Sequence, residues 1–199
     1  MVAGSSGSAS SGRDIHVVVF DLDGTLLDSD AALLAAFEAL GVDAGTVTFG
    51  HAVAEEAERL GLSLEQYEAA YDTEVAQPFA GVEDLLAQID RWAICSNKHP
   101  ESALAELDRL GWSPEVACFA DAFDWEHKRL DPVLDALGVA SEEVVMIGDT
   151  SGDALVAEAV GCDYLWAGWN PRTGAAAPVG QVLASPAELL DWLSVRRRS

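Results

Sequence analysis

The chain has 199 residues, half of them apolar, and 34 acidic against 11 basic side chains leave a formal net charge of −23. That length and apolar content suffice for one α/β core with an insertion, while the charge excludes a surface built to attract nucleic acid or anionic membranes. It reads as a solvated acidic surface, the alternative being adaptation to a salty cytoplasm, where charges are screened over about 3 Å at 1 M salt.

Residues 1–13 form a Gly/Ser-rich leader with neither the basic region nor the apolar core of a signal peptide, and are expected to be disordered. The first strand spans 15–20 (IHVVVF) and empties into DLDGTLLDSD. Residues 28–79 then carry three helical patterns and no convincing strand. The first is 30–40, with Leu33, Phe37 and Leu40 on one stripe; the second is 51–60, ending at Gly61. The third, 64–76, opens on the Ser63-x-x-Gln66 form of a capping box and is stopped by Pro78.

Beyond residue 80, strands at 91–95, 116–119, 143–147 and 163–167 alternate with helices at 81–89, 100–110, 130–137, 152–160 and 186–194. His99 and Pro100 begin one of these helices, and Gly111, Gly138 and Gly161 stand at helix stops. Residues 168–180 read as a loop, and the closing RRRS as a frayed helix end. The alternation predicts βαβ units feeding a parallel sheet, made from 14–27 and 80–199, with 28–79 as a small helical insert. No window approaches the roughly 18 apolar residues of a membrane span. Cys95, Cys118 and Cys162 lack paired or metal-type spacing, so buried thiols in a cytoplasmic protein are expected.

In an open parallel sheet, ligands bind beyond the carboxyl ends of the strands. Collected strand by strand, the polar residues there are Asp21, Asp23 and Gly24, then Ser96, Asn97 and Lys98, then Asp149 and Asp153, with Lys128 after the third strand. Both lysines of the chain fall in these segments. The set suits phosphoryl transfer. Asp21 can attack phosphorus to form an aspartyl-phosphate, and Asp23 can protonate the leaving oxygen and later activate water. So many carboxylates around one phosphate require a hard divalent cation, for which Mg²⁺ fits, with Asp149 contributing. Asp153 either binds the metal's waters or orients Lys128. Ser96, Lys128 and the amides of Asn97 and Gly24 supply donors to phosphate oxygens.

These motifs resemble the haloacid dehalogenase superfamily, in the branch of phosphoglycolate phosphatase and β-phosphoglucomutase. DLDGTLLDS at 21–29 is similar to its first motif, ICSNK at 94–98 to its second, Lys128 to its third and IGDTSGD at 147–153 to its fourth. The resemblance implies a Rossmann-like parallel sheet sandwiched by helices, with 28–79 as a small α-helical cap inserted after the first strand. It implies Asp21 as nucleophile and Asp23 as general acid/base that also lends a backbone carbonyl to Mg²⁺. Asp149 is then a metal ligand, Ser96 and Lys128 bind phosphate, and Asp153 supports the metal and the lysine.

Two departures stand out. The run after Lys128 is KRLDP, where the family often has Lys-Pro, and the insert is short. In the stretch FGHAV, where related caps carry a specificity loop, His51 either reaches the substrate or lies on the solvent side of a helix. Arg59 either meets an acidic substrate or pairs with Glu55 or Glu56 at helical spacing. Trp125 is expected in the core rather than at the mouth of the site.

The expected function is therefore a Mg²⁺-dependent phosphatase acting on a small phosphorylated metabolite, as a monomer or homodimer. A sugar phosphomutase and a non-catalytic binding module of the same fold are the alternatives. Dehalogenation is disfavoured because relatives with that chemistry lack the second aspartate. Phosphonate cleavage through a Schiff base needs a cap lysine, and none lies between residues 30 and 80.

Overall fold

The computed structural model describes residues 14–49, 52–172 and 177–196. The leader, His51 and the arginines of the closing basic run beyond Arg196 lie outside the described residues. In chain order the strands are β1 (Val17–Phe20), β2 (Leu27–Asp28), β3 (Gln77–Pro78), β4 (Trp92–Cys95), β5 (Val116–Cys118), β6 (Val144–Gly148), β7 (Asp163–Ala167) and β8 (Gln181–Leu183). The helices are α1 (Asp30–Ala39), α2 (Val53–Arg59), α3 (Leu64–Ala70), α4 (Val82–Leu86), α5 (Pro100–Leu110), α6 (Asp131–Leu137), α7 (Ser151–Val160) and α8 (Pro186–Arg196).

Six strands form one parallel sheet in the order β5-β4-β1-β6-β7-β8. The valine run of β1 is buried on both faces, as a central parallel strand must be. Val18 and Phe20 join Ile94, Ile147, Leu85, Leu107 and Leu189 on one face. Val17 and Val19 join Ala93, Met146, Val133 and Ala157 on the other, against α6 and α7. Each fully buried Val, Leu or Phe contributes about 1.5–3 kcal/mol, so both faces are needed to hold β1 in the middle.

The insert has a core of its own, built from Ala36, Phe37, Val47, Ala57 and Tyr67. Both of its ends leave the sheet domain through β2 and β3, an antiparallel pair with Leu27 opposite Pro78 and Asp28 opposite Gln77. The Ser63–Gln66 capping box forms in both directions. Gly111, Gly138 and Gly161 take left-handed backbone at their helix ends.

Several expectations are corrected. The third insert helix ends at Ala70 rather than 76, and Pro78 sits in β3 instead of ending a helix. Tyr71 turns extended, which carries its side chain to the sheet domain. The segment at 81–89 is helical only over α4. The strand β8 follows the 168–180 segment, where no strand was expected. Trp125 is 52% exposed and stacks beside His99, with ring centroids 5.3 Å apart. All three cysteines are free and buried. Among the described residues no helix is long and apolar enough to cross a membrane.

Candidate active site

β1, β4 and β6 are neighbours, so their carboxyl-terminal ends bring Asp21, Ser96 and Asp149 side by side at the point where the strand order reverses. Asp21 continues the β1 ladder, its amide donating to the Ile147 carbonyl at 2.9 Å. Lys128 reaches back to it: Nζ lies 2.7 Å from Asp21 Oδ1, 2.6 Å from Asp153 Oδ1 and 3.2 Å from the Cys95 carbonyl. Lys128 is buried, and its two carboxylate partners hold its pKa well above the usual lysine range despite the desolvation that opposes them. The KRLDP sequence therefore does not displace this lysine. Leu130 is buried and Asp131-Pro132 begin α6, while the backbone amide of Lys128 donates to Asn97 Oδ1 at 2.7 Å.

Asp21, Asp149 and Asp153 are all buried, and each offers a carboxylate oxygen within 4.8 Å of the others. Burial pushes Asp149 up to about 8, with the Asp21 and Asp153 charges adding to it. Burial likewise raises Asp21 to about 6 against the pull of Lys128. Lys128 on Asp21 and Asp153, and an arginine, Arg172, shared between Asp149 and Asp30, leave the carboxylates in excess of the cations, so an all-oxygen cluster of this kind fits a hard cation. Asp153 also closes a capping box on α7, Oδ2 accepting from the Thr150 amide at 2.9 Å and from the Thr150 hydroxyl at 2.7 Å. That places it where a Cβ on Gly148 would collide with its carboxyl group.

The carboxyl group of Asp23 is not part of this cluster. It is more exposed and binds the ammonium of Lys98, 2.7 Å from Oδ1. Ser96 is buried and, with Asn97, lines the cavity above Asp21. Gly24 departs from its expected role. At φ +82° its amide donates to the Leu27 carbonyl at 2.7 Å and is engaged within the turn. The geometry instead needs Gly24 for close approach, since a Cβ there would lie 2.5 Å from Asp149 Oδ2 and 2.7 Å from Arg172 Nη2.

Several residues at the site were not singled out from the sequence as site residues. The segment read as a loop after β7 sends Asn170 and Arg172 into the cluster. Asn170 Nδ2 donates to the Gly24 carbonyl at 2.9 Å and to Asp149 Oδ2 at 3.1 Å. Arg172 bridges Asp149 Oδ2 at 3.0 Å and Asp30 Oδ2 at 2.9 Å, and stacks on the Phe49 ring at 4.8 Å. Lys98 also sits at the centre of a second buried group. Besides Asp23 it contacts Glu106 Oε2 at 3.0 Å and donates to the Tyr71 hydroxyl at 2.9 Å. The Tyr71 hydroxyl in turn donates to Glu106 Oε1 at 2.8 Å, and Glu68 accepts from Ser102 nearby. Tyr71 and Glu68 come from the insert; Lys98, Ser102 and Glu106 come from the sheet domain. Arg59 is taken by Glu56, Nη2 to Oε1 at 2.6 Å, one of the two pairings expected of it at helical spacing.

Above Asp21 lies a cavity of about 420 Å³, walled on one side by the strand ends and on the other by Leu33, Phe49, Val53, Tyr67 and Tyr71 of the insert.

A family model described as haloacid dehalogenase-like hydrolase matches residues 15–161. The phosphoglycolate phosphatase of Xanthomonas campestris pv. campestris (strain 8004) is 32% identical over 190 residues, covering 80% of this chain and 86% of its own. The pyrophosphatase PpaX of Halalkalibacterium halodurans is 24% identical over 215 residues, covering 93% of this chain and 100% of its own. Among solved structures, a HAD-superfamily hydrolase of subfamily IA, variant 1, from Geobacter sulfurreducens superposes with a TM-score of 0.67 at 20% identity. That match covers 93% of this chain and 99% of the other. CbbY from Rhodobacter sphaeroides in complex with phosphate gives 0.69 at 22% identity, over 88% and 96%.

Proposed function

Because the chain belongs to the haloacid dehalogenase-like hydrolase family and is a phosphatase, we propose that it hydrolyses a small phosphorylated metabolite through an aspartyl-phosphate on Asp21, with Mg²⁺ as cofactor. The observation that carries this reading is Asp21 itself: a buried carboxylate, held on its Oδ1 by Lys128, at the floor of a cavity large enough for a small molecule.

Asp21, Asp149 and Asp153, or the waters they hold, are the residues that would retain the cation. When bound, Mg²⁺ supplies the positive charge that lets a phosphate approach these carboxylates. In the first step an Asp21 oxygen forms a bond to phosphorus as the ester P–O bond breaks, and Asp23, entering the step in its protonated form, delivers that proton to the departing oxygen. In the second, Asp23 takes a proton from water, the water oxygen bonds to phosphorus, and the Asp21–phosphorus bond breaks, freeing phosphate and restoring both carboxyl groups. Lys128, with Asp21 and Asp153 as its partners, sits where it can also meet a phosphate oxygen. Ser96 and Asn97 line the same wall.

Residues 28–79 act in this reading as a cap. They form one side of the cavity, and the β2–β3 pair is the connection about which they can move. The three free, buried thiols support a cytoplasmic setting.

The test is hydrolysis of p-nitrophenyl phosphate with Mg²⁺, with EDTA in its place, and by Asp21→Asn. Turnover that needs the metal and disappears in the variant supports the mechanism. Turnover that survives Asp21→Asn would falsify it.

A further inference from the structure

The walls of the cavity carry information about what is attached to the phosphate. Its cations among the described residues are already engaged in pairs. Lys128 lies between Asp21 and Asp153, Lys98 between Asp23 and Glu106, and Arg172 between Asp30 and Asp149. His127, at the rim, faces Glu55 at 3.4 Å. The insert contributes no lysine, and its Arg59 is held by Glu56. Two further carboxylates, Glu56 and Glu68, line the same space. A second negative group on the substrate would thus be desolvated beside carboxylates where, among the described residues, each cation already has an anionic partner, which is costly.

Apart from Ser29, Asp30 and Thr48, the rest of the insert-side wall is apolar or aromatic: Leu33, Phe49, Val53, Tyr67 and Tyr71. The volume of about 420 Å³ falls within the range of sites that enclose drug-sized ligands. A two-carbon acid would fill a small part of it and leave that wall against water.

We propose that the substrate is a phosphomonoester of a bulky, largely apolar alcohol that bears no second negative charge. The phosphate lies over Asp21 and the alcohol portion packs against Phe49, Leu33 and Tyr67. This rests on the phosphatase reading above and adds to it the chemical class of the leaving group. Phe49 is a specificity residue here, its ring held between the cavity and the Arg172 guanidinium.

The test uses the full chain with Mg²⁺ and three alkyl phosphates. Ethyl phosphate is small with no second anion, 2-phenylethyl phosphate is bulky with none, and 2-phosphoglycolate is small with a carboxylate. The expected order in kcat/KM is 2-phenylethyl phosphate above ethyl phosphate by about tenfold or more, the scale set by burying a few methylene equivalents. For 2-phosphoglycolate the value is no higher than for ethyl phosphate. Phe49→Ala narrows the phenylethyl-to-ethyl ratio to below about threefold, mainly through KM. Thermal melting of the variant separates that change from a loss of fold. A lead for 2-phosphoglycolate, or equal values for the two esters that lack a second anionic group, overturns the proposal and leaves the phosphatase reading standing. Hydrolysis of p-nitrophenyl phosphate with none of the three alkyl esters does the same. Failure on all four compounds removes the phosphatase reading itself.

Discussion

Replacing Lys98 by methionine removes a buried ammonium that three groups depend on. Its Nζ lies 2.7 Å from Asp23, 3.0 Å from Glu106 and 2.9 Å from the Tyr71 hydroxyl, and 4.6 Å from the centre of the Tyr71 ring. Glu106 has no exposed surface, and burial pushes its pKa up to about 7 even with the lysine in place. After Lys98→Met it keeps the Tyr71 hydroxyl, which donates to it at 2.8 Å. Breaking a buried ion pair from one side costs about 3–5 kcal/mol, a large share of the ~5–15 kcal/mol of a typical domain. The expected loss therefore lies in that interval, and it extends to the docking of the cap, because Tyr71 belongs to the insert. The double variant Lys98→Met/Glu106→Gln puts a neutral amide where the stranded carboxylate was, and should recover more than half of the loss. Urea unfolding followed by tryptophan fluorescence measures all three proteins. If Lys98→Met lies within about 1 kcal/mol of the unsubstituted chain, or the double variant is no better than the single one, the buried-pair reasoning is wrong.

The same accounting extends to other positions. Without metal, burial pushes Asp149 up to about 8 in the folded state, whereas in the unfolded chain it returns to the usual range of an aspartate, about 3.9. Between those values the folded state holds the extra proton, so stability falls as pH rises through the window. Melting in EDTA should show Tm declining from about pH 6 to 8, with Asp149→Asn or added Mg²⁺ flattening the slope; a rising Tm that Asp149→Asn does not alter contradicts this. Arg172→Ala takes a cation off Asp149 and should tighten Mg²⁺ binding by about three- to tenfold in calorimetry; weaker binding would mean that the arginine helps to build the cation site. Gly24→Ala forces a Cβ against Asp149 and Arg172 at φ +82°, and should cost about 1–3 kcal/mol in unfolding together with most of the hydrolysis. A fully active Gly24→Ala enzyme would show that this turn can relax.

What the sequence made legible was what local pattern encodes. The valine run ahead of Asp21 and the glycines at 111, 138 and 161 each carry their own geometry, and they brought the sheet and the acidic cluster with them. The third insert helix was read too long because AAYDTEVA keeps a helical apolar rhythm. The pull on Tyr71 from Lys98 and Glu106 comes from 27 and 35 residues away, and no local pattern reports it. β8 is three residues at the sheet edge with Gln181 and Val182 exposed, too short to show alternation. Asn170 and Arg172 lie in a stretch with the composition of a loop. Their partners Gly24 and Asp30 are 146 and 142 positions earlier, so their part in the site is a product of the fold. Trp125 was expected inside on the strength of its size. It lies instead at φ +63°, next to Asp124 at φ +59°, in a turn that holds its ring against His99 at the surface.

In the proposed mechanism phosphorus is bonded to Asp21 during turnover. Quenching the reaction with acid during hydrolysis of p-nitrophenyl phosphate, then mapping peptides by mass spectrometry, reads this directly. A phosphoryl group on the peptide that contains Asp21, lost when that residue is asparagine, is the predicted result. Turnover with the label on a different side chain would contradict it.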